Sequence, residues 1–204
     1  MSLPGRTKTP LSAVLLVAGR STRMRRDKAL LRVARGEFLW ERQRQVLARI
    51  GADEILLSAR ADQDWVTDAP GFDAVVFDAQ PDGGPLLGIV AALERASGSC
   101  LAVLAIDLPR IEPAWFDRLA EICAPGVGAV GKSPGFFEPL AALYPREILP
   151  LARAAVAAGE LSLQRFLARA VAHGLMRVRE ITDVERAWFE NWNEPGPVGP
   201  APLA

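Results

Sequence analysis

The chain has 204 residues, half of them hydrophobic, and its 24 basic side chains balance 24 acidic ones. This composition predicts a single globular domain over residues 1–204, with residues 1–10 and 195–204 flexible, and neutrality gives no reason to expect nucleic acid as a partner. Because no apolar run reaches the length of a signal peptide or a membrane span, we expect a cytoplasmic protein without membrane association.

Apolar segments of strand length alternate with helical segments along the chain. The predicted strands are residues 13–17, 53–59, 74–77, 101–106, 127–130, 140–144 and 175–181. The predicted helices are residues 39–50, 86–96, 113–123, 145–158, 162–172 and 184–189. Residues 131–139 are predicted to form a turn-rich connection. This alternation predicts a three-layer α/β/α, Rossmann-like fold with a mostly parallel sheet, in which ligands bind beyond the carboxyl ends of the strands.

The first predicted strand leads into a loop with concentrated positive charge. Residues 20–28 carry five positive charges and one negative charge, a net +4 in a neutral chain. Gly19 permits a sharp turn and Ser21 adds a hydroxyl donor, which favours a compact anion such as phosphate. A solvated turn is the alternative, because the loop matches neither of the two common glycine-rich phosphate motifs.

Other predicted strand ends carry polar residues that should converge on the same crevice. Ser58 begins the stretch 58–60 at the end of the second strand. Asp78 follows the third strand, where it serves either as an acceptor for a ribose or base or as an ordinary turn residue. Gly84 and Pro85 then open a helix whose N-terminus favours anions or carbonyl oxygens.

Asp107 directly follows the apolar fourth strand, in the sequence AIDLP. A single carboxylate combined with substrate phosphates is a usual way of binding magnesium, so Asp107 is a candidate Mg²⁺ ligand. The alternative is that Asp107 caps the next helix or starts a turn. Convergence with the basic loop favours magnesium.

Residue types that often carry other chemistries are scarce. Cys100 and Cys123 are too few for a disulfide framework or a structural zinc site, so we expect reduced, buried thiols. The only histidine, His173, stands beside Gly174 near a predicted helix end, where it is expected to cap carbonyls or face water. Histidine-dependent catalytic triads are therefore not supported.

Five motifs, in order from about residue 12 to residue 195, resemble the MobA family of molybdenum cofactor guanylyltransferases. They are LVAGRSTRMRRDK at 16–28, GPLLGI at 84–89, DLP at 107–109, EPLAALY at 138–144 and NWNEP at 191–195. The resemblance implies a nucleotidyltransferase with the fold of the nucleotide-diphospho-sugar transferases. Three positions depart from the family pattern: Ala18 and Arg25 each replace a glycine, and Glu194 replaces a threonine.

The resemblance also implies site residues. The catalytic residues are expected to be Arg23, Lys28 and Asp107, with Asp107 binding Mg²⁺. The expected nucleotide-binding residues are Val17, Ala18, Gly19, Ser21, Arg23, Lys28, Ser58, Asp78, Gly84, Pro85, Leu86 and Asp107. Pro139, Asn191 and Asn193 are expected on the pterin side.

The activity implied by the resemblance is transfer of GMP from GTP to the terminal phosphate of molybdopterin, with release of pyrophosphate. GTP and the molybdenum cofactor are the expected substrates, transient partners in cofactor delivery are expected, and the chain would be a monomer or homodimer. Alternatives are a cytidylyltransferase for the same cofactor, a transferase for another small phosphate, and a nucleotide-binding homologue without catalysis. All enzymatic versions require Lys28 and Asp107 to reach one triphosphate.

Overall fold

The computed structural model describes residues 10–19, 27–33, 36–77 and 83–190. Their strands are β1 (Leu11–Leu16), β2 (Glu54–Ala59), β3 (Ala74–Phe77), β4 (Cys100–Ala105), β5 (Gly128–Ser133), β6 (Phe136–Pro145) and β7 (Met176–Glu180). Their helices are α1 (Leu39–Arg49), α2 (Pro85–Arg95), α3 (Pro113–Ala120), α4 (Leu149–Ala157) and α5 (Leu163–Ala172). Short 3-10 helices span Lys28–Leu30, Asp64–Asp68, Arg146–Ile148 and Glu185–Phe189.

The seven strands form one sheet in the order β3-β2-β1-β4-β6-β5-β7. The neighbours β3, β2, β1 and β4 are parallel, and β5 is parallel to β7. Only β6, which is antiparallel to both β4 and β5, runs in the opposite direction. The carboxyl ends of six strands and the amino end of β6 therefore share one edge of the sheet.

Helices cover both faces of the sheet, which gives three layers. Ala13, Leu15 and Val17 face a core cluster that includes α1 and α3. Val14 and Leu16 face a second cluster that includes α2, α4 and α5. Because both faces of β1 are buried, its sequence is continuously apolar rather than alternating. The predicted three-layer, mostly parallel α/β/α fold is confirmed.

The connection predicted at residues 131–139 is wrong, because most of these residues belong to strands. β5 continues to Ser133 and β6 begins at Phe136, so only Pro134 and Gly135 remain between them. Gly135 has a φ of +93°, a conformation that suits glycine in a tight turn. The side chain of Gln164 also accepts from Phe137 N at 2.8 Å and donates to Phe137 O at 2.9 Å, which holds the start of β6 against α5.

Two predicted helices are also shorter or tighter than expected. The helix predicted at 145–158 begins instead with the last residue of β6 and a 3-10 turn, and α4 itself starts at Leu149. The helix predicted at 184–189 is a 3-10 helix. Its Glu185 is buried and accepts from Arg118, from Arg179 and from the backbone N–H of Thr182.

Candidate functional site

The candidate site lies at the edge where β1, β2 and β4 end side by side. Beyond the last paired residues, Val17 N donates to Ser58 O at 2.8 Å and Ile106 N donates to Leu16 O at 3.1 Å. These bonds hold the three loops next to one another as they leave the sheet. Residues that follow β1 and β4, far apart in sequence, therefore start from neighbouring positions.

Ala18 and Gly19 form the exit from β1. The guanidinium of Arg60, which follows β2, donates through Nη1 to Ala18 O at 2.8 Å and to Gly19 O at 3.4 Å. Gly19 is exposed, and a Cβ added to it would meet no atom within 4 Å. The backbone at Gly19 is thus open to the surroundings, while its carbonyl accepts from Arg60, the residue after β2.

Lys28 is the first residue of the 3-10 helix Lys28–Leu30. Asp27 caps this helix, accepting from Ala29 N through Oδ1 at 3.0 Å. The other oxygen of Asp27, Oδ2, accepts from Gln63 Nε2 at 2.6 Å and from Trp65 Nε1 at 2.7 Å. Lys28 itself is half-buried. The backbone that carries the Lys28 ammonium is therefore fixed by a carboxylate with three donors.

Asp107 is half-buried in the turn that follows β4. A buried α1 residue, Gln43, holds this turn: its Nε2 donates to Ala105 O at 3.3 Å and to Leu108 O at 2.8 Å. The carbonyls on either side of Asp107 are thus fixed to α1. Gln43 Oε1 is buried with no hydrogen-bond partner among the described residues.

Gly84 and Pro85 begin α2, which follows β3 and therefore starts at the same edge of the sheet. Gly84 has a φ of +79° at the N-cap, Pro85 occupies the first turn, and both are exposed. Since the first N–H groups of a helix have no partners within it, this end of α2 favours negative charge or carbonyl oxygens.

A family model matches the part of the chain that contains the candidate site. Residues 13–174 match the model described as the MobA-like NTP transferase domain. The chain belongs to this family. The match includes the exits of β1 and β4 and the start of α2.

Individual relatives agree with the family. The chain is 43% identical over 188 residues to a protein of Opitutus terrae named probable molybdenum cofactor guanylyltransferase, covering 91% of each chain. It is 33% identical over 191 residues to the molybdenum cofactor guanylyltransferase of Pseudomonas putida, covering 92% of this chain and 95% of that one. A crystal structure of molybdopterin-guanine dinucleotide biosynthesis protein A from Archaeoglobus fulgidus shares the fold, with a TM-score of 0.71 at 20% identity over 90% of this chain and 93% of the other.

Within this MobA-like fold, three of the predicted nucleotide-binding residues have buried side chains. Val17, Ser58 and Leu86 are at most 1% exposed, so their side chains pack inside the protein. Gly19, Lys28, Gly84, Pro85 and Asp107 stand at the shared edge with exposed or half-buried surfaces. Pro139 lies inside β6 rather than in a turn, and its carbonyl accepts from Tyr144 Oη at 2.8 Å.

Other predicted site residues lie outside the described residues. They are Ser21, Arg23, Asp78, Asn191 and Asn193. Arg25 and Glu194, which depart from the family pattern, lie outside them too. Ala18, the remaining departure, is half-buried, and its carbonyl is held by Arg60.

Sequence reasoning gave no role to Gln43, Gln63 or Trp65, or to the individual side chains of Arg60 and Glu138. Glu138 stands at the amino end of β6 opposite Gly131, and its Oε1 accepts from Ser133 Oγ at 3.1 Å. Burial raises the pKa of Glu138, and the Ser133 hydrogen bond offsets part of this shift. The sequence offered one signal for Glu138, because it directly precedes Pro139, which the family resemblance assigns to the site. Long-range hydrogen bonds such as those of Gln63 leave no such signal in one sequence.

Three residues considered for other chemistry lie away from this edge. His173 ends α5, ahead of the amino end of β7, and Cys100 starts β4 at the opposite edge of the sheet. Burial raises the pKa of Cys100 to about 12 and the pKa of Cys123 to about 11. Both thiols therefore stay protonated and poorly reactive at neutral pH.

Among the residues that the structure describes, no helix is long and apolar enough to cross a membrane.

Proposed function

We propose that this protein transfers GMP from GTP to the terminal phosphate of molybdopterin and releases pyrophosphate. Its relatives of 43% and 33% identity, each matched over more than nine-tenths of this chain, carry the name molybdenum cofactor guanylyltransferase. A cytoplasmic location, a monomeric or homodimeric state and transient partners in cofactor delivery stay predictions.

The observation that carries the proposal is the adjacency of β1 and β4. These parallel strands pair from Leu11↔Cys100 to Leu16↔Ala105, so their exits stand side by side at one edge. The exit of β1 leads to the cation of Lys28, and the exit of β4 carries the carboxylate of Asp107. A nucleoside triphosphate at this edge would meet a cation, open backbone at Gly19 and the N-terminus of α2.

In this reaction an oxygen of the acceptor phosphate forms a bond to the α-phosphorus of GTP, and the bond from that phosphorus to the bridging oxygen of pyrophosphate breaks. The acceptor is already an anion, so no strong general base is needed. Lys28 would offset the charge that develops on the α-phosphate and the leaving group. Backbone N–H groups at the α2 N-terminus would orient the nucleotide.

The residues at this edge fit a magnesium ion. Within the described ranges no three His, Cys, Asp or Glu side chains gather into a metal-binding group. Asp107 lies at a strand end in a turn held by Gln43, and one such carboxylate suffices for Mg²⁺ when substrate phosphates and water complete the ligand set. When bound, Mg²⁺ supplies charge neutralisation for the triphosphate. Asp107 would hold it against the nucleotide.

A nucleotide panel tests the proposed activity. GTP, CTP and ATP are each incubated with molybdopterin and Mg²⁺, and pyrophosphate and the dinucleotide product are measured. We expect product from GTP alone and none after chelation by EDTA. Equal turnover of CTP would overturn the guanine assignment. Nucleotide binding without pyrophosphate release would overturn the transferase assignment.

Two variants test the residue roles in the same assay. We expect Asp107→Ala to abolish turnover and Lys28→Ala to lower it by a factor on the order of a hundred to a thousand, since each removes charge stabilisation from the transition state. Circular dichroism should show an intact fold. Asp117→Ala and Arg153→Ala, which remove exposed charges on α3 and α4, serve as matched controls and should keep wild-type turnover. Near-normal turnover by Asp107→Ala or Lys28→Ala would remove that residue from the mechanism.

A further inference from the structure

The polar segment after β2 contacts both ends of the basic loop. Gln63 is 4% exposed, and its Nε2 donates to Val17 O at 3.2 Å and to Asp27 Oδ2 at 2.6 Å. Val17 precedes residues 20–26, which lie outside the described residues, and Asp27 follows them. One amide nitrogen therefore connects two segments that are ten positions apart in sequence.

Arg60 and Trp65 complete the same set of contacts. Arg60 holds the carbonyls of Ala18 and Gly19, while its Nε donates to Asp62 Oδ1 at 2.8 Å and its backbone N donates to Gln63 Oε1 at 2.8 Å. Trp65 Nε1 is the second side-chain donor to Asp27 Oδ2. We refer to Arg60, Gln63 and Trp65 together as the β2 clamp.

The β2 clamp is itself rigidly supported. The Trp65 ring stacks on Trp40 of α1, with centroids 6.0 Å apart and planes 26° from parallel. Trp40 also packs against Phe72, with centroids 6.0 Å apart. The stack restrains the plane of the Trp65 indole, and the indole N–H donates to Asp27 Oδ2 at 2.7 Å. The amide of Gln63 is fixed at both ends, since its oxygen accepts from Arg60 N and its nitrogen donates twice.

We propose that the β2 clamp positions the phosphate-binding backbone at Gly19 and the ammonium of Lys28 relative to each other. The clamp acts on Lys28 through Asp27, whose carboxylate also caps the 3-10 helix that begins with Lys28. It acts on Gly19 through Arg60. This inference rests on the proposed function, in which both elements contact one triphosphate. Its members are positioning residues and do not themselves touch the substrate.

The alternative is that these contacts only stabilise the fold, and kinetics can separate the two roles. A fold contact changes the unfolding temperature and leaves kcat and KM of the folded protein unchanged. A positioning contact changes the reaction, because small misplacements of reacting groups are costly. Loss of a positioning contact should therefore change kcat and the KM for GTP and leave the KM for molybdopterin unchanged.

The test uses Trp65→Phe, which keeps an aromatic ring in the stack and removes the donor to Asp27. We expect kcat to fall by about 10- to 100-fold and the KM for GTP to rise, with a small loss of thermal stability. Trp115→Phe is the matched control, since it also removes a buried indole donor, in this case to Ala141 O at 2.8 Å, without contacting the β2 clamp, and it should keep wild-type kinetics. Wild-type kinetics in Trp65→Phe, with a stability loss like that of Trp115→Phe, would overturn the proposal.

A double-mutant cycle tests the route through Asp27. If Trp65 acts through this carboxylate, the losses of kcat in Asp27→Asn and Trp65→Phe should not add. The double variant should then have the kcat of Asp27→Asn. Additive losses would overturn the route. Binding measurements separate this inference from the proposed function. If the wild type binds GTP without releasing pyrophosphate, the proposed function fails. The clamp is then tested by binding alone: Trp65→Phe should weaken the affinity for GTP and leave the affinity for guanosine unchanged. A wild type that binds no nucleoside triphosphate overturns both.

Discussion

At the scale of single residues, a substitution at Gly19 tests where the nucleotide lies. Its φ is not in the left-handed region, and a methyl group there would meet no protein atom within 4 Å. We expect Gly19→Ala to keep or slightly raise the unfolding temperature, because alanine restricts the unfolded chain more than glycine does. The methyl group would instead meet a triphosphate lying on this backbone. The KM for GTP should rise on the order of tenfold.

Steady-state kinetics and a thermal melt check this expectation in one preparation of Gly19→Ala. An unchanged KM for GTP together with an unchanged unfolding temperature would show that the nucleotide does not approach this backbone. A large drop in unfolding temperature would instead contradict the open space found at Gly19.

The sequence alone predicted which strand ends would meet at one edge, but it did not show which side chains there would be buried. Lys28 was assigned from the family motif, Asp107 was assigned both from its place after the fourth strand and from the motif, and both are half-buried at the predicted edge. Ser58 was assigned too, yet its side chain is fully buried. Burial of a small polar residue at a strand end depends on packing between elements. A single sequence does not encode that packing in any local pattern.

At the scale of elements, the start of α2 can be tested with a pair of glycines. Gly84 and Gly159 have φ values of +79° and +71°, and an added Cβ at either would meet nothing within 4 Å. Alanine should therefore cost each site a similar amount, on the order of 1 kcal/mol of unfolding free energy. Gly84 begins α2 at the candidate site, whereas Gly159 follows α4. Only Gly84→Ala should raise the KM for GTP.

Urea unfolding and GTP kinetics on the two variants check this prediction. Equal stability losses with a KM change confined to Gly84→Ala would fit a nucleotide at the α2 N-terminus. Equal losses with no KM change in either variant would place the nucleotide elsewhere.

Element boundaries were least predictable in the second half of the chain. Glycine, proline and aromatic residues at 131–139 were interpreted as a turn, and the structure uses seven of these nine residues in strands. Pairing with β6 and β7 on either side of β5, and the two hydrogen bonds between Gln164 and Phe137, favour the extended backbone. Local propensity is outweighed by partners that are distant in sequence.

At the scale of the whole molecule, alternating strands and helices were enough to predict that the loops after the strands would converge at one edge. The insertion of the antiparallel β6 between β4 and β5 was not predictable in the same way. That insertion brings Glu138 to the edge that carries Asp107, since β6 enters the sheet there. No pattern within residues 136–145 specifies its neighbours.

Glu185 links three parts of the molecule, and its charge predicts how stability depends on pH. It is 1% exposed and accepts from Arg118 on α3, from Arg179 on β7 and from Thr182 N. Burial alone would raise its pKa, but hydrogen bonds from Arg179, from Thr182 and from Arg118 outweigh burial and lower the pKa from 4.5 to about 2. A lowered carboxyl pKa contributes stability above the unfolded pKa and loses it as pH falls toward the folded value.

We therefore expect Glu185→Gln to reduce the free energy of unfolding at pH 7 by on the order of 3 kcal/mol, with the difference from wild type shrinking as pH falls from about 5 to about 2. Urea unfolding at a series of pH values measures both quantities. Glu160→Gln is the control, because its pair with Arg169 is nearly half exposed and should contribute less than about 1 kcal/mol at any pH. A Glu185→Gln deficit that stays constant down to pH 2 would mean that the carboxylate charge does not stabilise this junction, and that the deficit arises from packing around the site instead.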